Sequence, residues 1–180
     1  DLVNQITLPL TAAVVKFNGS VHDILELSTD RQEIIAALQK RVTLQNTALF
    51  DGIDRGVEKV QSRPHLRFII LTTDGNDNAS INSLDAVIKR CQTHNVPVFV
   101  FGFGWLDVKT LKNISDSTDG FYSYVPDSSK LDEWFRKLGQ IINNVQVVEF
   151  TAGSDMNQPG TVELEVQSGG QTFKRIRVWN

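Results

Sequence analysis

The sequence predicts an α/β protein with a doubly wound, mainly parallel sheet that carries helices on both faces, followed by a small antiparallel β appendage. Two segments, residues 67–73 and 96–103, are almost unbroken apolar runs, which are typical of strands buried on both faces of a parallel sheet. Strands of this kind alternate with amphipathic helical segments from residue 67 to residue 143. That alternation implies right-handed crossovers and therefore parallel strands.

The first part of the chain predicts a β-hairpin followed by a helix. Residues 10–17 and 20–27 have the composition and alternation of strands, and Asn18–Gly19 between them is a strong signal for a tight hairpin turn. Asp30 is suited to cap a helix, and apolar residues at helical spacing follow it. We therefore predict a helix over 31–41.

A polar loop and a second helix connect the hairpin to the first buried strand. The loop covers residues 43–47. Apolar residues at helical spacing then predict a helix over 48–60, and Pro64 lies beyond its end. The buried strand at 67–73 follows, and the polar segment 74–78 closes it.

Three further helices and two further strands complete the alternating part of the chain. We predict helices over residues 80–94, 106–117 and 130–143, and strands over 96–103 and 120–125. The last helix has its apolar residues on one side, so we expect it to pack against a face of the sheet.

The character of the sequence changes after residue 145. Strand patterns occur at residues 145–150, 161–166 and 172–178. Residues 168–170 have the composition of a hairpin turn between the last two. We therefore predict two parts, an α/β domain over residues 1–144 and an antiparallel appendage over residues 145–180.

Composition and charge exclude several classes of function. The chain has 180 residues, of which 41% are hydrophobic and 22% are charged, as is usual for globular domains. Its formal net charge is −3, which provides no basic footprint for nucleic acid. No apolar run reaches the ~18 residues of a membrane span. Because residue 1 is Asp rather than Met, we expect a processed product or a piece of a longer protein.

Cys91 is the single cysteine, so the chain forms no internal disulfide and no zinc site that needs several thiolates. It lies in a segment of helical period, and we expect it to be a small buried residue. A reactive thiol activated by His94 is the alternative. The histidines are scattered and no nucleophile-elbow motif is present, which argues against a hydrolytic triad.

Five segments resemble, in order, those of the von Willebrand factor A domain, the α/β fold of integrin I domains. They are residues 13–20, 46–53, 68–75, 98–104 and 111–122. They correspond to a hairpin strand, a Thr-Ala-Leu helix start, a strand ending in Thr-Asp-Gly, a strand ending in Gly-x-Gly, and a Leu…Gly-x-Tyr segment. The resemblance extends from about residue 10 to residue 145 and supports the predicted fold.

The resemblance implies a metal-ion-dependent adhesion site in which Thr47 and Asp74 match two of the family's ligands. The Asp-x-Ser-x-Ser element, with the first strand and helix of the family, is absent. Mg²⁺ takes six oxygen ligands in octahedral array, and one hydroxyl with one carboxylate should bind it weakly. We therefore expect Mg²⁺ or Mn²⁺ only in a parent protein that supplies the missing element, and no tight binding by this chain.

Each candidate ligand has an alternative role. Thr47 is also suited to be the N-cap of the following helix, and Asp74 with Gly75 is also suited to make a simple turn. Asp77 and Trp105 are candidate partner-binding residues. A plain surface position for Asp77 and packing of Trp105 on a helix are the alternatives.

The resemblance implies a non-enzymatic module that binds a protein partner at the carboxyl edge of its sheet, with metal dependence only if the parent supplies the missing strand. One alternative is a metal-independent scaffold or assembly domain whose strands at 145–178 dock a neighbour. A second is a Mg²⁺-dependent hydrolase or phosphoryl-transfer domain that uses Asp74. The family implies an extracellular or cell-surface location, although cytoplasmic relatives exist.

The missing first strand leaves a gap in the expected sheet. Without it, the strands at 10–17 and 67–73 would face each other with unpaired backbone groups, which is unfavourable. We predict that residues 1–8, a strand of a neighbouring domain or partner chain, or another segment of the parent fills this position.

Overall fold

The computed structural model describes residues 2–42, 46–64, 66–126, 131–144, 160–168 and 171–179. The helices are α1 (Leu2–Gln5), α2 (Arg31–Gln39), α3 (Leu49–Val60), α4 (Leu84–Thr93), α5 (Val108–Ser117) and α6 (Leu131–Asn143). The strands are β1 (Ala12–Phe17), β2 (Val21–Ser28), β3 (Ile69–Thr73), β4 (Val98–Gly102), β5 (Tyr122–Tyr124), β6 (Gly160–Ser168) and β7 (Gln171–Trp179). The chain divides into two compact units, Asp1–Val145 and Gln146–Asn180.

The predicted elements are present wherever the structure describes the residues concerned, but the helix predicted over 80–94 begins only at Leu84 and the helix predicted over 106–117 only at Val108. The strand predicted at 145–150 lies outside the described residues. Helix α1, a single turn, was not predicted, because four residues are too few to show a helical period. Asp30 caps α2 as expected, since its Oδ1 accepts the backbone N–H of Gln32 at 2.8 Å.

Strands β3, β4 and β5 form the parallel sheet in that order, as the alternating sequence predicts. Ile69 pairs with Val98 in register, and Val100 pairs with Tyr122. Val98 and Val100 have no exposed surface. Ile69 is half-buried, so the apolar strand residues avoid solvent as predicted.

Helices cover both faces of the parallel sheet, which confirms the doubly wound arrangement. Val98 and Val100 pack in one cluster with residues of α3, α4 and α5. Phe101, which alternates with them along β4, packs on the other face with Leu138 and Ile142 of α6. The alternation of side chains along a strand therefore divides the core into two layers.

Strands β1 and β2 form a separate antiparallel ladder, in which Val15 pairs with Asp23 and Phe17 with Val21. Asn18 makes the predicted tight turn, and its Oδ1 accepts the backbone N–H of Ser20 at 2.9 Å. In the part of the chain that the structure describes, no strand is hydrogen-bonded between β1 and β3. The sheet is therefore in two pieces rather than continuous.

The prediction that residues 1–8 fill this gap is wrong for the described residues 2–8. Residues 2–5 form α1, and a helical turn offers no ladder hydrogen bonds to a strand edge. Helix α1 is instead fastened to its neighbours by backbone carbonyls. Asn143 Nδ2 donates to Gln5 O at 2.8 Å, and Arg31 donates to Val3 O and Leu8 O. Completion of the sheet by a neighbouring domain or chain stays a prediction.

Helix α3 bridges the two ladders on one face through two glycines one turn apart. A Cβ at Gly52 would lie 2.6 Å from Phe17 Cδ1, and a Cβ at Gly56 would lie 3.0 Å from Ile69 Cδ1. The missing side chains let the aromatic ring of β1 and the isoleucine of β3 contact the helix closely. The position of α3 therefore fixes where both strands end relative to each other.

The second unit contains the antiparallel pair β6–β7, in which Ser168 pairs with Gln171. These strands confirm the two β segments predicted at 161–166 and 172–178. Among the described residues, no helix combines the length and the apolar character that crossing a bilayer requires.

Candidate functional site

Three loops meet at the carboxyl end of β1 and β3. The backbone N–H of Ala48 donates to Asn18 O at 2.5 Å, which ties the segment before α3 to the hairpin turn. The backbone N–H of Thr47 donates to Asn78 Oδ1 at 2.7 Å, and the N–H of Asn78 donates to Thr47 O at 3.0 Å. Thr47 is therefore held between the hairpin and the loop that follows β3.

Thr47 and Asp74, the two residues that match metal ligands, are brought to the same place. A Cβ on Gly75, the residue after Asp74, would lie 2.8 Å from Thr47 Oγ1. Glycine at this position therefore allows the hydroxyl to approach the loop. Thr47 is half-buried and Asp74 is exposed. The N-cap alternative for Thr47 is wrong, because α3 begins at Leu49 and its N-cap residue is Ala48.

Asp77 supplies the cap that α3 lacks in its own sequence. Ala48 has no side chain able to accept a hydrogen bond, and Asp77 Oδ1 accepts the backbone N–H of Leu49 at 2.8 Å and of Phe50 at 3.3 Å. Ser80 Oγ donates to the same carboxylate oxygen at 2.5 Å. These bonds satisfy N–H groups that otherwise have no partner at a helix start. A partner-binding role for Asp77 stays a prediction.

The loop after β3 is also fixed by Asp51, in the first turn of α3. Its carboxylate accepts the backbone N–H of Ile81 at 2.8 Å and of Asn82 at 2.9 Å. The backbone N–H of Asp51 in turn donates to Ser80 Oγ at 3.1 Å. This reciprocal arrangement holds Ile81 with 96% of its surface exposed.

The loop after β4 lies against the loop after β3. The backbone N–H of Phe103 donates to Thr73 O at 3.0 Å, and the N–H of Asp107 donates to Asn76 Oδ1 at 2.5 Å. Gly104 has a φ of +77°, and a Cβ there would lie 3.9 Å from Asp74 O. A left-handed backbone at Gly104 therefore brings this loop beside Asp74.

Trp105 follows Gly104 and is 98% exposed. The alternative that Trp105 packs on a helix is therefore wrong. Asp107 caps α5, since its Oδ1 accepts the backbone N–H of Thr110 at 3.2 Å and its Oδ2 accepts the Thr110 hydroxyl at 2.7 Å. These hydrogen bonds hold the pKa of the Asp107 carboxyl below its usual value.

The described residues do not complete a metal site. Within them, no group of three or more His, Cys, Asp or Glu side chains is placed to hold an ion. Thr47 and Asp74 offer one hydroxyl and one carboxylate, whereas Mg²⁺ takes six oxygens. The Oδ1 of Asp77 is already engaged by the start of α3. The donors present do not fit a closed magnesium site.

The other titratable residues weighed in the sequence are Cys91 and the histidines, of which His22 lies beside the hairpin turn at this edge. Cys91 is buried in the core, and burial raises the pKa of its thiol to about 12, which opposes thiolate formation. The prediction of a buried cysteine is confirmed, and the reactive-thiol alternative has no support. His22 hydrogen-bonds Asn18 Oδ1 at 3.0 Å. His65 lies outside the described residues.

The residues that sequence reasoning missed are the two that organise the loop after β3, Asp51 and Ser80, and the exposed Ile81. The sequence places Ile81 in the helix predicted over 80–94, whereas it lies in the loop before α4 and is exposed. The sequence offers no signal for Asp51, because its hydrogen-bond partners are about thirty residues away along the chain.

Comparison with known proteins gives a consistent family and fold. The von Willebrand factor type A domain family matches residues 3–137. No curated protein matches this chain in sequence. A von Willebrand factor type A structure from Catenulispora acidiphila superposes with a TM-score of 0.74 at 20% identity, covering 81% of this chain and 37% of that one.

Two further solved structures share the fold. Proximal thread matrix protein 1 of the mussel byssus, solved with zinc in its MIDAS motif, gives a TM-score of 0.67 at 21% identity. The match covers 78% of this chain and 38% of that one. The domain of the type V pili tip protein Mfa5 from Porphyromonas gingivalis gives 0.61 at 11% identity, covering 83% and 88%. The chain thus spans well under half the length of the first two relatives.

Proposed function

The chain belongs to the von Willebrand factor type A domain family, and from that premise we propose that it is a non-enzymatic module that binds a protein partner at the carboxyl edge of its parallel sheet. One observation carries the proposal: Trp105 is 98% exposed on a loop fixed beside Asp74. A tryptophan offers a large apolar surface and a single N–H donor, and it is enriched among the residues that dominate binding energy at interfaces.

The apolar surface at this edge extends beyond Trp105. Ile81, on the loop after β3, is 96% exposed, and Val108, at the start of α5, is 40% exposed. Exposed apolar residues that cluster at one edge mark interaction sites more often than isolated ones do. The loops that carry them are fixed by Asp51 and by Asn76, so a partner would meet a preorganised surface.

The absence of basic residues from the loops near Asp74 weighs against the hydrolase or phosphoryl-transfer alternative. Such chemistry needs a cation and a second acid near Asp74 to hold Mg²⁺ and phosphoryl oxygens. The described loops 74–83 and 103–107 contain no lysine or arginine. Asp77, the nearest second acid along the chain, has its Oδ1 engaged as the helix cap. We therefore place the function in binding.

Metal dependence is a separate part of the proposal. We propose that Mg²⁺ or Mn²⁺ contributes only where a parent protein supplies the Asp-x-Ser-x-Ser element that joins Thr47 and Asp74. The zinc in the MIDAS motif of the mussel relative supports a divalent ion in that context. For the chain alone, calorimetry with Mg²⁺ should detect no tight binding. Tight binding would contradict this expectation, and tight binding that survived Asp74→Ala would mean that the site lies elsewhere.

The binding site is tested by selecting peptides from a random display library on the immobilised chain. Clones that dock at the carboxyl edge should lose binding on Trp105→Ala and Asp74→Ala. They should keep it on Leu66→Ala, because Leu66 is exposed but precedes β3 at the opposite edge. Clones that bind all three variants equally well would refute docking at this edge.

The scaffold alternative is favoured by the second unit. A two-stranded hairpin is only marginally stable by itself, so β6–β7 is expected to dock on a further surface. Deletion of residues 146–180 should leave peptide selection at the carboxyl edge unchanged. Loss of selection after the deletion would show that the second unit takes part in binding.

We propose an extracellular or cell-surface location. Two proteins of similar fold, a byssus thread matrix protein and a pilus tip protein, support that environment. Immunodetection on intact cells of the source organism, before and after permeabilisation, tests it. Signal only after permeabilisation would place the protein inside the cell.

A further inference from the structure

The loops around Trp105 carry negative charge and no positive charge. The described segments at this edge are residues 18–20, 46–48, 74–83 and 103–107, and their charged residues are three aspartates. Lys109, in the first turn of α5, is the next basic residue along the chain. It contributes to the field at Asp107 and forms no ion pair with Asp74.

Two of the three carboxylates are engaged in capping helices. Asp77 Oδ1 accepts N–H groups at the start of α3, and both oxygens of Asp107 are bonded to Thr110. The side chain of Asp74 forms no hydrogen bond or ion pair with any residue that the structure describes. Asp74 is therefore the carboxylate that remains open to a partner.

Asp74 and Trp105 lie on two loops that are joined at three points. The joints are the bond from Phe103 N–H to Thr73 O, the bond from Asp107 N–H to Asn76 Oδ1, and the close approach of Gly104 to Asp74 O. The two loops therefore keep a fixed relation that places the exposed indole and the open carboxylate at the same edge, and a cation with an apolar or planar surface is the group suited to contact both.

We propose that this surface binds an arginine side chain of a protein partner, held by the Asp74 carboxylate and the face of Trp105. This inference rests on the proposed function and specifies the chemistry of its partner. A guanidinium matches a carboxylate with two parallel N–H donors, and it stacks on an indole. Lysine offers a compact, strongly hydrated charge and stacks less well.

The same surface disfavours an acidic partner. A carboxylate brought to this edge would meet Asp74 with Asp77 and Asp107 nearby and no cation among the described loop residues. Like charges placed together in an interface cost binding energy. An acidic partner would need a divalent ion to bridge the carboxylates, and the donors present here do not form a site for one.

The test uses the peptides selected on the chain, and both selection and measurement are done in EDTA. Arginine should be enriched at one position, and each selected peptide is synthesised with arginine, lysine or the neutral isostere citrulline there. For the unmodified chain, citrulline should weaken binding roughly tenfold, the combined size of an exposed ion pair and a cation–π contact. For Asp74→Asn the same exchange should weaken binding only about threefold, because the ion pair is gone while the cation–π contact with Trp105 remains.

Asp116→Asn serves as the matched control, because Asp116 is an exposed aspartate near the end of α5, at the opposite edge. It should keep the full citrulline effect. An equal citrulline effect in Asp74→Asn and the unmodified chain would overturn the assignment to Asp74. Edge-binding peptides without arginine enrichment, or with acidic residues that bind only with Mg²⁺, would overturn the inference and leave the proposed function standing. Peptides insensitive to Trp105→Ala would overturn both.

Discussion

The β3–β4–β5 ladder and the β1–β2 ladder lie on the same helix, α3, but they are buried to different extents. In β4, Val98, Val100 and Phe101 have no exposed surface. In β2, all of whose residues are described, none is fully buried. The first ladder has helices on both faces. The second is contacted by α2 through Val14 of β1 and by α3 through Phe17, yet every residue of β2 keeps some exposed surface.

Both ladders make apolar contacts with α3, since Phe17 of β1 packs on Gly52, and the hairpin ladder adds ion pairs. Ile69 of β3 packs on Gly56, which is an apolar contact. Strand β2 is joined to α3 by ion pairs, from Asp23 to Arg55 and Lys59. The comparison indicates that packing determines the stability of the parallel ladder, whereas the hairpin ladder depends partly on charge. Four predictions test this difference, in order of decreasing effect on the free energy of unfolding.

Glycine-to-alanine substitutions should give the largest difference between the ladders in the free energy of unfolding. A Cβ at Gly120 would lie 1.9 Å from the carbonyl oxygen of Val98, and backbone cannot move aside without breaking the ladder. Gly120→Ala should cost about 3 kcal/mol or more of the free energy of unfolding. A Cβ at Gly19 meets Asn46 Cβ at an ordinary 3.5 Å, so Gly19→Ala should change it by less than about 0.5 kcal/mol. Urea unfolding measures both, and equal losses would contradict the comparison.

Truncation of one buried and one half-buried valine should give a smaller difference in the free energy of unfolding, again with the larger loss in the parallel ladder. Val100→Ala leaves a cavity between two helix-covered faces and should cost about 2–3 kcal/mol. Val15→Ala, on the hairpin, removes a half-buried side chain and should cost about 1 kcal/mol. Chemical denaturation of the two variants under identical conditions provides the measurement. A larger loss for Val15→Ala would reverse the ranking of the ladders.

Cys91 lies in the buried core, and its thiol should make the free energy of unfolding depend on pH. Burial raises the pKa of its thiol from 9.0 to about 12, so between these values the unfolded chain loses the proton while the folded chain keeps it. Stability should therefore fall as pH rises above about 9, by about 1 kcal/mol at pH 10 relative to Cys91→Ala. Urea unfolding at pH 8 and pH 10 checks this, and parallel pH profiles for the two proteins would exclude it.

The ion pairs of the hairpin ladder should have the smallest effect. The hydrogen bond from Arg55, followed by those of Lys59, lowers the pKa of the Asp23 carboxyl. The ionised Asp23 carboxylate therefore contributes its full stabilisation above the unfolded pKa of about 4. That stabilisation is lost as the pH falls through the lower pKa of the folded state. Asp23→Asn should cost about 0.5 kcal/mol at neutral pH, because the pair is partly exposed and screened.

Salt distinguishes that effect from a loss of packing. The difference in the free energy of unfolding between Asp23→Asn and the unmodified chain should shrink when NaCl is raised to about 1 M, because the Debye length is then only about 3 Å. Asp116→Asn, which removes an exposed charge from α5, is the control and should be neutral in both salts. A salt-independent loss would mean that Asp23 acts through packing.

The candidate site shows how far sequence reasoning reaches. It brought Thr47 and Asp74 to one edge, because strand ends of an α/β sheet meet there, and the loops do meet. It assigned Thr47 to a helix cap as an alternative, and Asp77 takes that role instead. It left packing on a helix as the alternative for Trp105, whereas the side chain is exposed. Metal ligation by Thr47 and Asp74 stays a prediction.

The local sequence encodes the order and type of the elements, the burial of β4 on both faces, and the turn at Asn18. Each of these depends on neighbours a few residues apart, and so a local period or a turn residue is enough to encode it. The folded structure was needed to show that residues 2–5 form a helix and leave the gap in the sheet unfilled, that Asp77 caps α3, and that Trp105 is exposed. These depend on groups that crossover connections bring together from distant parts of the chain, and no local pattern records which distant group arrives.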